Sequence, residues 1–187
     1  MLRIVTNDAL DFDAKPPFRA ASGIDADVQP VPGVYAFRLR MGSTLPEPFA
    51  MHLAERKSRL IYIGKASSLK VRMLGNELRG RGHGTFFRSI GAVLGFRPLA
   101  GSLADRVNKN NFSFQKSDRD AIVEWINANV EVIWHQLPLV DVPATETSLI
   151  LKHKPLLNLD GNPLALAELV ELRELCRKIA AGPPLES

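Results

Sequence analysis

Two hydrophobic periods alternate along this chain, and the switches between them divide it into elements. Gly33-Val34-Tyr35-Ala36-Phe37-Arg38-Leu39 alternates with a period of two and predicts a strand. The run 42–48, GSTLPEP, marks a loop, and residues 59–64, RLIYIG, predict a second strand. A long, decorated connection would let these two strands pair antiparallel. A period near 3.6 then sets in, with Leu69, Arg72/Met73 and Asn76 on one face of a helix over 68–78 that Ser67 can cap. The loop 80–84, GRGHG, breaks it. Thr85 can cap a short helix that stops near Gly95 and Pro98. Phe112 and Phe114 alternate within 108–115, which predicts a third strand, and Ser117-Asp118-Arg119-Asp120 reads as a capping box for a helix reaching Asn129. Residues 131–137 predict a further strand, and Asp141 and Pro143 start a helix with the body ATETSLILKH. Residues 164–180 form an amphipathic pattern, expected to fold back on the core rather than to make a dimer seam. The first 29 residues, with Pro16-Pro17 and few periodic apolar positions, read as an arm or an irregular wrap. No internal repeat is present. Sequential strands interleaved with helices predict an α/β (α+β) fold with a small, mainly antiparallel central sheet flanked by helices.

Composition narrows the setting. A hydrophobic fraction of 45% and a charged fraction of 24% are those of a globular chain, and 187 residues suffice for one domain with extensions. The single Cys176 excludes an internal disulfide, and no Cys/His cluster has zinc-ligand spacing. No apolar run reaches about 18 residues, which argues against a membrane span. The acidic first turn of MLRIVTNDALDFDAK lacks a signal peptide's apolar core, so a reducing, cytoplasmic setting is expected. The net charge of +4 is unevenly placed: residues 31–100 hold twelve basic and three acidic side chains, and every other segment is slightly acidic. A basic stretch of this kind fits a solvated face as well as a polyanion site.

Motif order decides between those readings. Gly33-Val34-Tyr35 is followed by Tyr62-Ile63-Gly64, which runs directly into Lys65-Ala66-Ser67-Ser68-Leu69-Lys70-Val71-Arg72. Glu146 comes later, with Lys154-Pro155-Leu156-Leu157-Asn158 ending twelve residues after it. Each piece is common by itself. As an ordered set, the chain resembles the GIY-YIG nuclease family over roughly residues 31–162, with the second motif closest to its repair-endonuclease form. The chain departs from the family pattern in two ways. Residues 40–58 read as an insertion, and the stretch from Arg72 to Glu146 is longer than a minimal domain. Asn76 stands where the family commonly has tyrosine or histidine, and an amide cannot act as a base. His83 or Tyr35 would then have to relay protons.

The resemblance implies a metal-dependent endonuclease that hydrolyses phosphodiester bonds in DNA, with Tyr35, Tyr62, Arg72, Glu146 and Asn158 as its catalytic set. Glu146 would hold Mg²⁺ or Mn²⁺ while leaving most ligand positions to water and phosphate. Arg72 would present a planar, permanently charged fork to phosphate oxygens. Tyr35 and Tyr62 would reach the attacking water or the phosphate with help from Lys65. Asn158 would anchor the site by hydrogen bonding. Structural readings exist for each: a packed aromatic, a helix-dipole carboxylate, a surface ion pair, ordinary turn chemistry. All five holding at once is the less economical account.

Lys65, Lys70, Arg79, Arg81, His83 and Arg88 form the expected nucleic-acid surface, the glycine-rich loop 80–84 contacting backbone phosphates. Lys152 and Lys154 extend it, His135 and His153 read as structural, and Phe86, Phe87 and Phe96 read as core. The expected organisation is an arm over 1–29, a nuclease-like domain with insertions over 30–162, and a C-terminal helix and tail over 163–187. DNA is the expected partner, with no membrane and no small-molecule cofactor, and a homodimer follows by analogy. A binding module that has lost turnover is the rival reading, favoured by Asn76. A protein-interaction domain using the C-terminal helix is a third.

Overall fold

The computed structural model describes residues 17–183. Residues 1–16 of the expected arm and the tail residues 184–187 lie outside the described residues. The sheet has four strands, β1 (Arg19–Ala20), β2 (Gly33–Leu39), β3 (Leu60–Ala66) and β4 (Val130–Gln136), in the spatial order β1-β4-β2-β3 with every pairing antiparallel. Among the described residues five α-helices accompany them: α1 (Phe49–Glu55), α2 (Thr85–Val93), α3 (Lys116–Asn129), α4 (Val142–His153) and α5 (Ala167–Ala181). Among the described residues, no helix is long and apolar enough to cross a membrane.

The period-two pattern of β2 sets the layers. Val34 and Ala36 turn to one face, where Ile63, Ile133, Leu149 and Ile150 complete a core under α4. Tyr35 and Phe37 turn to the other and join a larger core with Phe86 of α2, Ile122 and Ile126 of α3, and Leu169 and Cys176 of α5. The C-terminal helix therefore packs back onto the domain, as its pattern predicted, and Phe86 and Phe87 are core residues.

Both motif glycines have steric reasons to be glycine. Tyr35 pairs with Gly64 across β2 and β3, and a Cβ at position 64 would come within 2.5 Å of the Tyr35 ring. At Gly33 a Cβ would collide with the carbonyl of His135 on β4. A side chain at 64 would displace the Tyr35 ring, and one at 33 would part β2 from β4.

At four places the structure corrects or adds to these expectations. Residues 108–115 are not a strand: Phe112 and Phe114 insert into the core from irregular backbone, held in part by the Leu99 amide donating to the Ser113 carbonyl at 2.9 Å. Their alternation reflects burial without a pairing neighbour. The insertion 40–58 contains α1, which buries Phe49. The described part of the expected arm or wrap lies against the core, with Ala21, Ile24 and Val28 buried, and adds the short strand β1 paired with β4. The helix predicted over 68–78 is wound as a π-helix over Lys70–Leu78, with its first turn capped by Ser68 rather than Ser67.

Candidate active site

Tyr35, Tyr62, Lys65, Arg72, Glu146 and Asn158, read from separate motifs, line a single cleft of about 260 Å³. The sheet presents the tyrosines side by side. Phe37 pairs with Tyr62 across β2 and β3, Tyr35 lies two residues away on the same face, and the tyrosine rings are 6.4 Å apart. Phe37 and Phe86 close in beneath, with ring separations of 4.7 to 5.5 Å. The Tyr35 hydroxyl is buried without a hydrogen-bond partner. Burial pushes both tyrosines well above the ordinary phenol range, the charge of Glu77 adds to this, and Arg72 offsets it only in part.

Arg72 projects from the π-helix and is held from three sides. Its Nη1 donates to the His83 carbonyl at 3.0 Å, its Nη2 donates to Thr85 Oγ1 at 3.1 Å, and Nη2 lies 3.2 Å from Glu77 Oε1. Glu77 was not anticipated. Fully buried, its carboxylate also accepts the backbone amides of Thr85 at 3.0 Å and Phe87 at 3.1 Å. One carboxylate thus caps the N-terminus of α2 and pins the arginine, which also corrects the expectation that Thr85 caps its own helix. The winding explains why Glu77 and not Asn76 does this. In an α-helix position i+4 returns to the face of residue i, whereas the i→i+5 repeat of a π-helix brings Glu77 round to Arg72. Asn76 lies outside the cleft, packed against Gly82. Burial raises the Glu77 carboxyl, and Arg72 and the two amides pull it back. Burial opposes the charge on Arg72, but Glu77 and the tyrosines outweigh it and strengthen its hold on the proton.

On the opposite wall Glu146 of α4 is 16% exposed and pairs with Lys65 Nζ at 2.6 Å. Asn158 closes the end. Its Oδ1 accepts the Ile63 amide at 2.9 Å and its Nδ2 donates to the Ile63 carbonyl at 2.8 Å. The side chain thereby substitutes for a strand partner on the free edge of β3, where the Leu157 amide also donates to the Ile61 carbonyl at 2.8 Å. Its amide is committed to the backbone of Ile63. Asp160 and Arg173, the latter from α5, also line the cleft and had no motif to announce them.

Among the described residues no cluster of three or more histidine, cysteine or carboxylate side chains converges as a metal centre. A hard divalent cation does not need one. It is commonly held by one or two carboxylates, with water and phosphate oxygens filling the rest. Glu146, with Asp160 on the same cleft, is a donor set of that kind, and an ion there would compete with Lys65 for the Glu146 carboxylate.

The expected nucleic-acid residues are dispersed. Lys70 is exposed on the first turn of the π-helix, outside the cleft. Arg79 is spent on the fold, bonded to Asp25, Asn127 and the Ala21 carbonyl. Arg81, His83 and Arg88 line a different cleft, so His83 is not placed to replace the missing base at Asn76. Lys152 lines a third depression with Arg56, Lys57 and Arg59, and Lys154 ends α4 in a left-handed conformation.

Residues 33–178 match the family model described as the GIY-YIG catalytic domain. No curated protein and no solved structure matches the chain.

Proposed function

The chain belongs to the GIY-YIG catalytic domain family, and from that premise we propose that it is a metal-dependent endonuclease that hydrolyses phosphodiester bonds in DNA. The observation that carries this reading is the gathering of two tyrosines, Arg72, Lys65 and Glu146 around one cleft from β2, β3, the π-helix and α4. Nothing in the packing of a binding module requires those five groups to converge.

Each residue has work suited to its environment. Arg72 is charged and rigidly held, so it can bind phosphate oxygens without reorganising as negative charge grows on them. The Tyr35 and Tyr62 hydroxyls keep their protons at neutral pH and act as hydrogen-bond donors to phosphate or water rather than as bases. Lys65 neutralises Glu146, and with a divalent ion held at that carboxylate its ammonium would be available to phosphate oxygens. The chemistry supplied by a divalent ion held at Glu146, with Asp160 beside it, is Lewis-acid polarisation of a phosphoryl oxygen.

The test is cleavage of supercoiled plasmid by wild type and Glu146→Gln in Mg²⁺, Mn²⁺ or EDTA. Nicking or linearisation by wild type that needs the ion and is lost in the variant is the expected outcome. Equal cutting by a folded variant would remove Glu146 from the chemistry. Salt-sensitive DNA binding with no cutting by either protein would replace the nuclease with a binding module.

A further inference from the structure

A second cleft of about 250 Å³ opens on the far side of the 80–84 loop. Five of its lining residues are Arg81, His83, Arg88, Arg106 and Arg119, and among the described residues it has no lining carboxylate. The acidic neighbours of Arg119 are engaged elsewhere: Asp118 accepts from Gln115 at 3.1 Å and Asp120 from Lys116 at 2.6 Å. Phe87, Phe112 and Phe114 supply the apolar walls.

Arg88 is the unusual member. It is 5% exposed, and its Nε and Nη1 have no hydrogen-bond partner. Its guanidinium stacks 5.8 Å from the Phe112 ring. Glu77 is the nearby opposite charge, but its oxygens are already taken by Arg72 and the Thr85 and Phe87 amides. Unpaired buried donors on a cation cost about 1–3 kcal/mol each or more. A fold that keeps such a group beneath a carboxylate-free basic cleft is arranged for an anion to complete it. The local field agrees: burial lowers the Arg88 guanidinium to about 10, and burial together with Arg106 and Arg88 lowers the His83 imidazole.

We propose that this second cleft seats a backbone phosphate of the same DNA on which the first cleft acts, at a position removed from the scissile bond. The inference rests on the nuclease reading for the identity of the strand. The two clefts share a wall. The His83 carbonyl accepts a bond from Arg72, and His83 itself lines the second cleft. A phosphate drawn into the second cleft therefore bears on the loop that fixes the arginine of the first.

Binding of labelled duplex DNA, measured by anisotropy in EDTA across a salt series, tests the assignment without cleavage. Arg106→Ala and Arg119→Ala are each expected to weaken binding and to flatten the slope of log affinity against log salt by about 0.9, the contribution of one phosphate contact. Arg40→Ala, an exposed charge bonded to the Ala128 carbonyl, controls for net charge and should leave the slope unchanged. Arg88→Met is expected to weaken DNA binding while keeping or raising the melting temperature, because an unpaired buried cation has been removed. A purely structural arginine would lower both. Inorganic phosphate should protect the wild type against thermal unfolding and the Arg106/Arg119 double variant much less. Variants that bind with the affinity and slope of Arg40→Ala would overturn the proposal. Protection by phosphate or a nucleoside monophosphate, with DNA affinity unaltered in the variants, would give the cleft to a free phosphate compound and overturn it equally. Plasmid cutting in Mg²⁺ is scored separately, so a protein that binds through this cleft and does not cut defeats only the nuclease reading.

Discussion

Replacing Glu77 by alanine tests the least expected part of the site. The substitution removes the acceptor of the Thr85 and Phe87 amides, at 3.0 and 3.1 Å, and the partner of Arg72 at 3.2 Å. Two buried donors left unpaired cost about 1–3 kcal/mol each. Deleting one side of a fully buried ion pair costs about 3–5 kcal/mol, and the Arg72 side chain, 35% exposed, holds this loss to the low end of that range. These losses overlap, because a single carboxylate serves all three groups, and the variant is spared the burial of a charge. A net destabilisation of about 3–4 kcal/mol is expected. Glu77→Gln keeps the shape and one acceptor oxygen, but its NH2 then faces one of the two backbone amides donor to donor; that lost bond and the weakening of the neutral ones that remain should cost about 2–3 kcal/mol. Urea unfolding followed by tryptophan fluorescence measures both, provided that the m-value is unchanged. Cleavage should fall in both variants, because Arg72 loses its holder. An alanine variant within about 1 kcal/mol of wild type, or a glutamine variant no better than alanine, would refute the account.

Two further outcomes follow from the same geometry. Asn158→Ala leaves the Ile63 amide and carbonyl without the partner that Asn158 supplies, and should cost about 2–3 kcal/mol in urea unfolding; a loss of a few tenths would show that water replaces the side chain. The chain's two tyrosines are both in the cleft, so a spectroscopic pH titration reads the site alone. Their folded pKa values are raised above the unfolded value near about 10. Above that pH the unfolded chain sheds protons that the folded chain retains, so stability should fall as pH rises. The tyrosinate absorbance should appear together with unfolding, and its appearance in the folded protein would show the hydroxyls to be solvated.

Elements that bury one face of a regular structure were legible. The strands β2, β3 and β4 alternate because one side of each meets α4 and the other meets the aromatic core, and α4 and α5 carry their periods for the same reason. The segment 108–115 misled because Phe112 and Phe114 are buried from irregular backbone, where alternation carries no pairing partner. The helix α1 was hidden behind the turn signals of GSTLPEP. In the cleft, residues belonging to motifs could be named in advance, and residues brought in by distant packing could not. Glu77 escaped notice because its role depends on a π-winding that helical-wheel reasoning replaces with the α repeat, which pointed instead to Asn76. Arg173 sits on a helix whose periodicity announces only its apolar face.

The strand order β1-β4-β2-β3 has a bearing on how the molecule comes into being. Synthesis delivers β1, β2 and β3 first, yet β4 must lie between β1 and β2, so the sheet has no centre until residue 136 has emerged. The two sides of the cleft are also separated in time. Tyr35, Tyr62, Lys65 and Arg72 precede β4, while Glu146, Asn158, Asp160 and Arg173 follow it. A chain interrupted ahead of Val142 carries Lys65 and Arg72 and neither of the cleft's carboxylates, Glu146 and Asp160. Whatever chemistry the finished cleft performs is thereby withheld from the nascent polypeptide until α4 and the segment that follows it dock on the completed sheet.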